Sequence, residues 1–255
     1  MHALSASDVL QIWEWGQGRS PLQQALVMLA VAYPDRSPGQ LAALPIGQRD
    51  AHLLTLRSHT FGSNLHSVAR CPQCQEALEF NLTVSDICVA APLPLPLPLT
   101  ASGEPERYEW QQDDYWLTVR LPTSADLLAI AGCSLDEAPG QLLQRCIDHA
   151  AWGEAEITVA ELPEAIAEQV MQHIAQRDPQ SEIVLNLTCP VCAHQWAQLF
   201  DIVSFFWQEL SAKAQLLLQD VHILASVYGW READILSMSA LRRHAYLAQI
   251  GGVGA

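Results

Sequence analysis

Two short cysteine motifs, CPQC at residues 71–74 and CPVC at residues 189–192, constrain the fold of this chain more than any other feature. A structural zinc site takes four ligands at tetrahedral angles, and thiolates are preferred donors. One Cys-x-x-Cys turn supplies two sulfurs, so two such turns complete a closed site. We therefore predict that one structural Zn²⁺ ion is bound by four ligands: Cys71, Cys74, Cys189 and Cys192.

The residues that follow each motif support a shared site. The stretch ALEFNLTV after the first pair alternates apolar and polar residues, and HQWAQLFDI after the second pair is also typical of a strand. Both stretches lead to an Asp-Ile dipeptide, at Asp86 and at Asp201. The alternating SEIVLNLT leads into the second pair. These repeats predict two halves of one zinc ribbon, split by the residues between them.

Other interpretations of the cysteines remain open at this point. A redox Cys-x-x-Cys motif normally opens a helix, whereas strand patterns follow both pairs here. Two separate metal sites could recruit His66 and His194, and the thiols could also be buried without metal. Cys88, Cys133 and Cys146 lack metal-ligand spacing and suggest small buried residues. Cys146 and His149 stand at helical spacing, which would suit a nucleophile and a base, but no third member is evident.

The organisation of the chain predicts an α+β protein, mostly helical, with a split zinc ribbon of short antiparallel strands and an α-rich insert. In the N-terminal region, Ser5 and Ser20 are candidate helix caps, and Pro21 suits the first position of a helix. The predicted segments run in this order: a helical N-terminal region at 1–62, the first half of the ribbon at 63–89, a Pro-rich linker at 90–107, the α-rich insert with a hairpin at 108–180, the second half of the ribbon at 181–202, and a C-terminal helical pair at 203–255.

Within the insert, YEWQQDDYWLTVRL predicts a hairpin with a polar turn at residues 112–114. The stretches PGQLLQRCIDHAAWG and LPEAIAEQVMQHIAQRD predict one helix each. In the linker, proline occupies every second position of APLPLPLPLT, and proline cannot donate to a sheet ladder. We therefore expect an extended spacer there rather than a strand.

Composition excludes several classes of partner. The net charge is −15, with 28 acidic residues against 13 lysines and arginines, and Lys213 is the single lysine. Such a chain repels phosphate backbones and anionic lipid, so we expect neither nucleic acid nor membrane as a partner. The N-terminus lacks the features of a signal peptide, which predicts a cytoplasmic protein. No phosphate loop, nucleophile elbow or dinucleotide fingerprint occurs, so we expect no enzymatic activity and no small-molecule substrate.

Several stretches together resemble the T-even-type phage baseplate hub assembly chaperones and their relatives in contractile injection systems and tailocin-like particles. They are LPIGQRDAHLLTLRSHTFGSNLHSVARCPQC, EFNLTVSDI, VRLPTSADLLAI, LTCPVC and FFWQELSAKAQLLLQDVHILASVYGWREADILSMSALRRHAYL. The resemblance implies a non-enzymatic assembly protein that binds baseplate or tail hub proteins. It also implies that the zinc ribbon stabilises the fold in only one subgroup of the family, since shorter phage members lack the cysteines.

The C-terminal stretch is the predicted partner surface, through its aromatic residues and its basic pair. The candidate residues are Phe205, Phe206, Trp207, Tyr228, Trp230, Arg242 and Arg243. The same aromatic residues could instead pack the core, and the basic pair could be a solvated helix face. Three alternative functions also remain: a permanent baseplate component, a zinc ribbon that binds nucleic acid, and a thiol oxidoreductase.

Overall fold

The computed structural model describes residues 3–89 and 105–251. Helices make up 55% of the structure and small antiparallel sheets 20%, which confirms the α+β class. The predicted Pro-rich linker falls largely outside the described residues. Its last residue, Arg107, already begins a strand.

Helices begin and end the described part of the chain, and all of its strands lie between them. The α-helices are α1 (Ala6–Gly16), α2 (Pro21–Ala32), α3 (Pro38–Ala42), α4 (Ile46–Phe61), α5 (Val84–Ile87), α6 (Ser124–Ile130), α7 (Ala138–Cys146), α8 (Glu164–Arg177), α9 (Ile202–Tyr228), α10 (Glu232–Ser237) and α11 (Ala240–Gly251). The strands are β1 (Asn64–Arg70), β2 (Ala77–Thr83), β3 (Arg107–Gln112), β4 (Tyr115–Arg120), β5 (Ile147–Trp152), β6 (Ala155–Glu156), β7 (Val184–Thr188) and β8 (Gln195–Leu199). Two 3₁₀ turns lie at Val159–Glu161 and Pro179–Ser181.

Serine side chains start the first helices, as the sequence predicts for Ser5 and Ser20. Each accepts a hydrogen bond from a backbone amide of the first turn, at Asp8 and Gln23 respectively. The side chain of that same residue accepts from the backbone amide of the serine, which completes a capping box. Two of the otherwise unpaired N–H groups of each helix end are thereby satisfied.

The main core forms where α1, α2 and α4 pack around the first half of α9. Its fully buried residues include Ile12, Met28, Leu54 and Phe206. Arg57 of α4, only 2% exposed, donates two hydrogen bonds to the Glu209 carboxylate of α9, at 2.7 and 2.8 Å. A buried guanidinium needs such a partner, so this pair orients α4 against α9.

The segment between the two cysteine motifs has a second core. Its four-stranded antiparallel sheet, in the order β3-β4-β5-β6, packs against α7 and α8. The buried residues of this core include Trp110, Leu117, Val119, Ile147 and Val170. The predicted hairpin and its turn are confirmed as β3 and β4, which Asp113 and Asp114 connect.

The helix predicted for PGQLLQRCIDHAAWG is wrong in its second half. Helix α7 ends at Cys146, and Ile147 begins β5. The residues of β5 pair with β4, with Leu117 opposite Ala150, so backbone pairing with a neighbouring strand replaces the helical hydrogen bonds. The insert therefore contains more sheet than the α-rich interpretation expects.

The C-terminal region also differs from the predicted pair of helices. A single helix, α9, begins at Ile202, because the Asp201 carboxylate accepts from the amides of Val203 and Ser204. It ends at Gly229, whose φ of 68° lies in the left-handed region that favours glycine. Helix α10 then precedes α11, so three helices replace the predicted two.

Within the described part of the chain, no helix has both the length and the apolar character that a membrane crossing requires.

A buried polar joint connects the start of α4 to the insert. Asp178 accepts from the amide of Gly47 at 2.8 Å, and Arg49 donates to the Ser124 hydroxyl at 3.4 Å. The amide of Ile46 donates to the Pro122 carbonyl at 3.1 Å. An added Cβ at Gly47 would lie 1.9 Å from the Asp178 carboxylate and 2.9 Å from the backbone nitrogen of Ser181. Only glycine permits this approach.

We expect Gly47→Ala to lower the free energy of unfolding by about 1–3 kcal/mol, because the methyl group must displace backbone as well as the Asp178 carboxylate. Urea unfolding measures the loss. Gly140→Ala is the matched control, since no atom lies within 4 Å of its added Cβ, and the exchange in α7 should leave stability equal or higher. Equal stability of Gly47→Ala and the wild type would contradict the close approach.

A buried histidine adds a pH-sensitive group to the main body. His52 of α4 is 1% exposed, and its Nδ1 lies 2.9 Å from the Tyr33 hydroxyl. Its Nε2 is buried and has no hydrogen-bond partner among the described residues. Burial disfavours the charged imidazolium and lowers the pKa of His52 to about 4.

We expect His52 to make the fold less stable in acid. The unfolded chain protonates this residue near pH 6.5 and the folded chain only near pH 4, so the unfolded state binds more protons between those values. The free energy of unfolding should fall by on the order of 3 kcal/mol from this residue as the pH drops through that window. Urea unfolding of wild type and His52→Gln at pH 4–7.5 measures it. If the free energy of unfolding depended on pH in the same way in the wild type and in His52→Gln, the predicted titration of His52 would be wrong.

Candidate metal centre

Two separate hairpins carry the cysteine motifs. Strands β1 and β2 pair antiparallel up to Arg70 and Ala77, and the loop between them holds the first motif. Strands β7 and β8 pair up to Thr188 and Gln195 around the second motif. The sequence predicts β2, β7 and β8, whereas β1 is found only in the structure. The alternation of apolar and polar residues in its sequence, NLHSVAR, is weak, because the apolar Val68 lies on the exposed face of the strand.

The two loops, or knuckles, have the same backbone arrangement. In the first, the Cys71 amide donates to the Glu76 carbonyl and the Gln75 amide to the Cys71 carbonyl, both at 2.9 Å. In the second, the Cys189 amide donates to the His194 carbonyl at 2.9 Å, and the Ala193 amide donates to the Cys189 carbonyl at 3.0 Å.

The residue after each motif also has the same unusual conformation. Gln75 has a φ of 64° and Ala193 a φ of 56°, in the region that side-chain-bearing residues rarely occupy. Because the hydrogen bonds and this conformation coincide, the repeat seen in the sequence is also a repeat of local structure.

The four motif sulfurs converge on one point. They all lie within 4.8 Å of one another. Two pairs of sulfurs from opposite knuckles lie 3.6 Å apart (Cys71 and Cys192) and 3.5 Å apart (Cys74 and Cys189). Four sulfurs bound tetrahedrally at about 2.3 Å from zinc lie roughly 3.8 Å apart. The spacing and the donor atoms therefore fit a four-thiolate metal site.

Backbone amides that donate to the sulfurs favour the thiolate form, but the net shift in pKa differs between the cysteines. The amide of Cys192, followed by that of Val191, lowers the pKa of the Cys189 thiol to about 7. The amide of Glu76 acts in the same direction on Cys74, but desolvation and contacts with the other three thiols outweigh it and raise the pKa of Cys74 to about 12. Four thiolates at this spacing repel one another, so full ionisation requires a cation among them.

The other metal-site and thiol hypotheses lose support. His66 lies 2.6 Å from the Asn81 side chain, and His194 stacks on Trp196, so neither ring belongs to the sulfur cluster. Each knuckle joins two strands, whereas a redox motif opens a helix. Cys146 ends α7 while His149 lies in β5, and burial raises the pKa of Cys146 to about 11. A reactive thiolate there is disfavoured.

The structure separates the predicted partner residues. Phe206 is completely buried in the main core, with Phe205 and Trp207 half-buried against that core. Arg243 is 3% exposed. The burial of Phe206 favours the core-packing interpretation for that residue. The burial of Arg243 contradicts the solvated helix face that the sequence suggested for it.

Tyr228, Trp230 and Arg242 lie together at the C-terminal end. The rings of Tyr228 and Trp230 stack with centroids 4.5 Å apart, and Tyr246 contacts both edge-on. The guanidinium of Arg242 lies 5.8 Å from the Tyr246 ring centroid. Sequence reasoning missed Tyr246, although its position four residues after Arg242 on a helix indicates the contact.

A family model described as T4 bacteriophage base plate protein matches residues 19–207, well over half of the chain. The chain belongs to this family. Comparisons with curated proteins and with solved structures found no match. The match includes both hairpins, the sulfur cluster and the insert, and it ends within the first two turns of α9. The chain is therefore a member of the phage base plate family whose four motif cysteines form a cluster compatible with metal binding.

We expect one metal ion per chain, held by the four motif cysteines. Cys71→Ser and Cys189→Ser should each abolish binding and lower the free energy of unfolding by several kcal/mol, because metal binding at such a site contributes directly to folding. Elemental analysis by plasma mass spectrometry measures the metal content, and urea unfolding the stability. Cys133→Ser is the matched control, since this exposed cysteine lies outside the cluster. Full metal retention in either motif variant would contradict the shared site.

Proposed function

We propose that this base plate protein is a non-enzymatic assembly chaperone for the baseplate hub of a contractile phage tail or a related injection system. Membership of the base plate family over residues 19–207 carries the proposal. The stretches from LPIGQRDAHLL to VRLPTSADLLAI, which resemble the hub chaperones, lie inside that range.

We further propose that the metal is Zn²⁺ and that its role is structural. Four thiolates without an open position suit zinc, which prefers tetrahedral sulfur coordination and has no redox chemistry. Cys71 and Cys189 are almost fully buried, and four thiolates fill every position of a tetrahedral ion, so none is left for a substrate. The bound ion would hold the two hairpins together, while the four cysteines supply every ligand.

Exposed apolar residues on the C-terminal helices support a role in protein binding. Leu216, Ile223 and Val227 lie on one face of α9 and are 55%, 40% and 53% exposed. Leu241 of α11 is 83% exposed. Aliphatic side chains in a row on an open helix face are typical of a surface that a partner protein covers.

The chaperone role predicts that the protein binds hub proteins during assembly and is absent from finished particles. Quantitative mass spectrometry of purified particles, and of assembly intermediates captured through an affinity tag, measures both. We expect hub proteins to co-purify from producing cells and no stoichiometric signal in the particles. A fixed copy number in finished particles would instead identify a permanent baseplate component. The absence of any captured baseplate protein would contradict both roles.

A further inference from the structure

A groove of about 610 Å³ lies on the main body, away from the sulfur cluster. The start of α1, the end of α4, the middle of α9 and the α10–α11 connection surround it. Most of this wall lies before or after the range that matches the base plate family. The groove therefore combines elements from both ends of the chain.

The floor and walls of the groove are mainly apolar. Val9 and Leu217 are buried core residues, while Leu4, Phe61 and Leu236 are half-buried and pack against the core. A short apolar side chain placed here would extend the main core, since it would meet aliphatic and aromatic surface on several sides.

Two basic side chains, Lys213 and Arg243, line the same groove, in a chain whose net charge is −15. The side chain of Lys213, the single lysine, lines it and has no ion pair among the described residues. Arg243 also lines it, with its Nε buried and without a hydrogen bond in the described residues. The Asp220 carboxylate lies 3.5 Å from that Nε and offsets the charge of Arg243, whereas Lys213 has no such counter-charge.

Two helix starts add to the positive potential. Ser5 and Ser239, which cap α1 and α11, both line the groove. The N-terminus of a helix favours nearby negative charge. The carboxylate of Asp8 is engaged with the Ser5 amide and is not part of the groove wall.

We propose that this groove receives a segment of a baseplate partner in which an aspartate or glutamate stands beside apolar side chains. The carboxylate pairs with Lys213 near the start of α11, and the apolar neighbours contact Leu4, Phe61 and Leu236. This inference rests on the proposed function, because it names the place at which a hub protein binds. Charge complementarity selects the occupant, since an apolar segment without a carboxylate would leave Lys213 uncompensated in a partly desolvated site.

The single lysine makes a direct test available. The tagged protein is co-expressed with the baseplate proteins of its particle, purified, and treated with a water-soluble carbodiimide. The reagent activates a carboxylate, and the Lys213 amine then attacks the acyl carbon, forming an amide and releasing the urea. Peptide mass spectrometry should identify Lys213 joined to an aspartate or glutamate side chain of a baseplate protein.

Three variants separate the charge from the cross-linking chemistry. Lys213→Glu should weaken capture of the partner roughly tenfold or more, because an attractive charge contact becomes repulsive. Lys213→Arg keeps the charge but lacks the reactive amine, so capture should persist while the cross-link disappears. Arg19→Glu, which changes the net charge equally at an exposed position outside the groove, should retain capture. Circular dichroism confirms that each variant is folded.

Each result discriminates between the two proposals. If Lys213→Glu captures baseplate proteins as well as the wild type does, the groove assignment is wrong and the proposed function stands. A cross-link from Lys213 to this same chain, to a second copy, or to the terminal carboxylate of a partner would also overturn the assignment. If the wild type captures no baseplate protein, the proposed function fails, and the groove assignment that rests on it fails as well.

Discussion

Four thiols bring together two hairpins that are far apart in the chain, and the position of the longest helix depends on that contact. The paired sulfurs of Cys74 and Cys189 are 115 residues apart in sequence and 3.5 Å apart in space. Closing so long a loop costs conformational entropy, which a bound metal can offset. Each hairpin leads into a helix whose Ile87 or Ile202 enters the main core. The sulfur cluster therefore positions the second hairpin, and with it the place at which α9 enters the main core.

The polar joint at the start of α4 provides a second connection between the insert and the main body. Asp178 holds the Gly47 amide, and the Gln180 side chain bonds both the Ile87 carbonyl and the Val89 amide. Gly47, Asp178, Ile87 and Gln180 are buried, so breaking the contacts among them would leave polar atoms without a partner. The sulfur cluster closes the loop at its base, and this joint orients the enclosed sheet against the helices. Leu216 of α9 and Leu241 of α11 remain exposed on the C-terminal helices and belong to neither core.

Local patterns predicted much of the architecture and the chemistry of the candidate site. The Ser20-Pro21 helix start, the turn at Asp113 and Asp114, and the strands β2, β7 and β8 depend on neighbouring residues, and the structure confirms them. The second half of the helix predicted for PGQLLQRCIDHAAWG was wrong, because the residue pattern at 147–152 is compatible with either a helix or a strand. Pairing with β4, a contact between distant residues, selects the strand.

The sequence by itself determined the donor set: four cysteines in two Cys-Pro-x-Cys turns, each with its own local hydrogen bonds. It also determined the acidic charge and the single lysine. Only the tertiary structure decided that the four sulfurs lie within 4.8 Å, that Phe206 and Arg243 are buried, and that Lys213 lines a groove with Leu4 and Phe61. The physical reason is that ligand chemistry and turn conformation are properties of short segments. Burial and juxtaposition instead depend on how helices from both ends of the chain pack around one core.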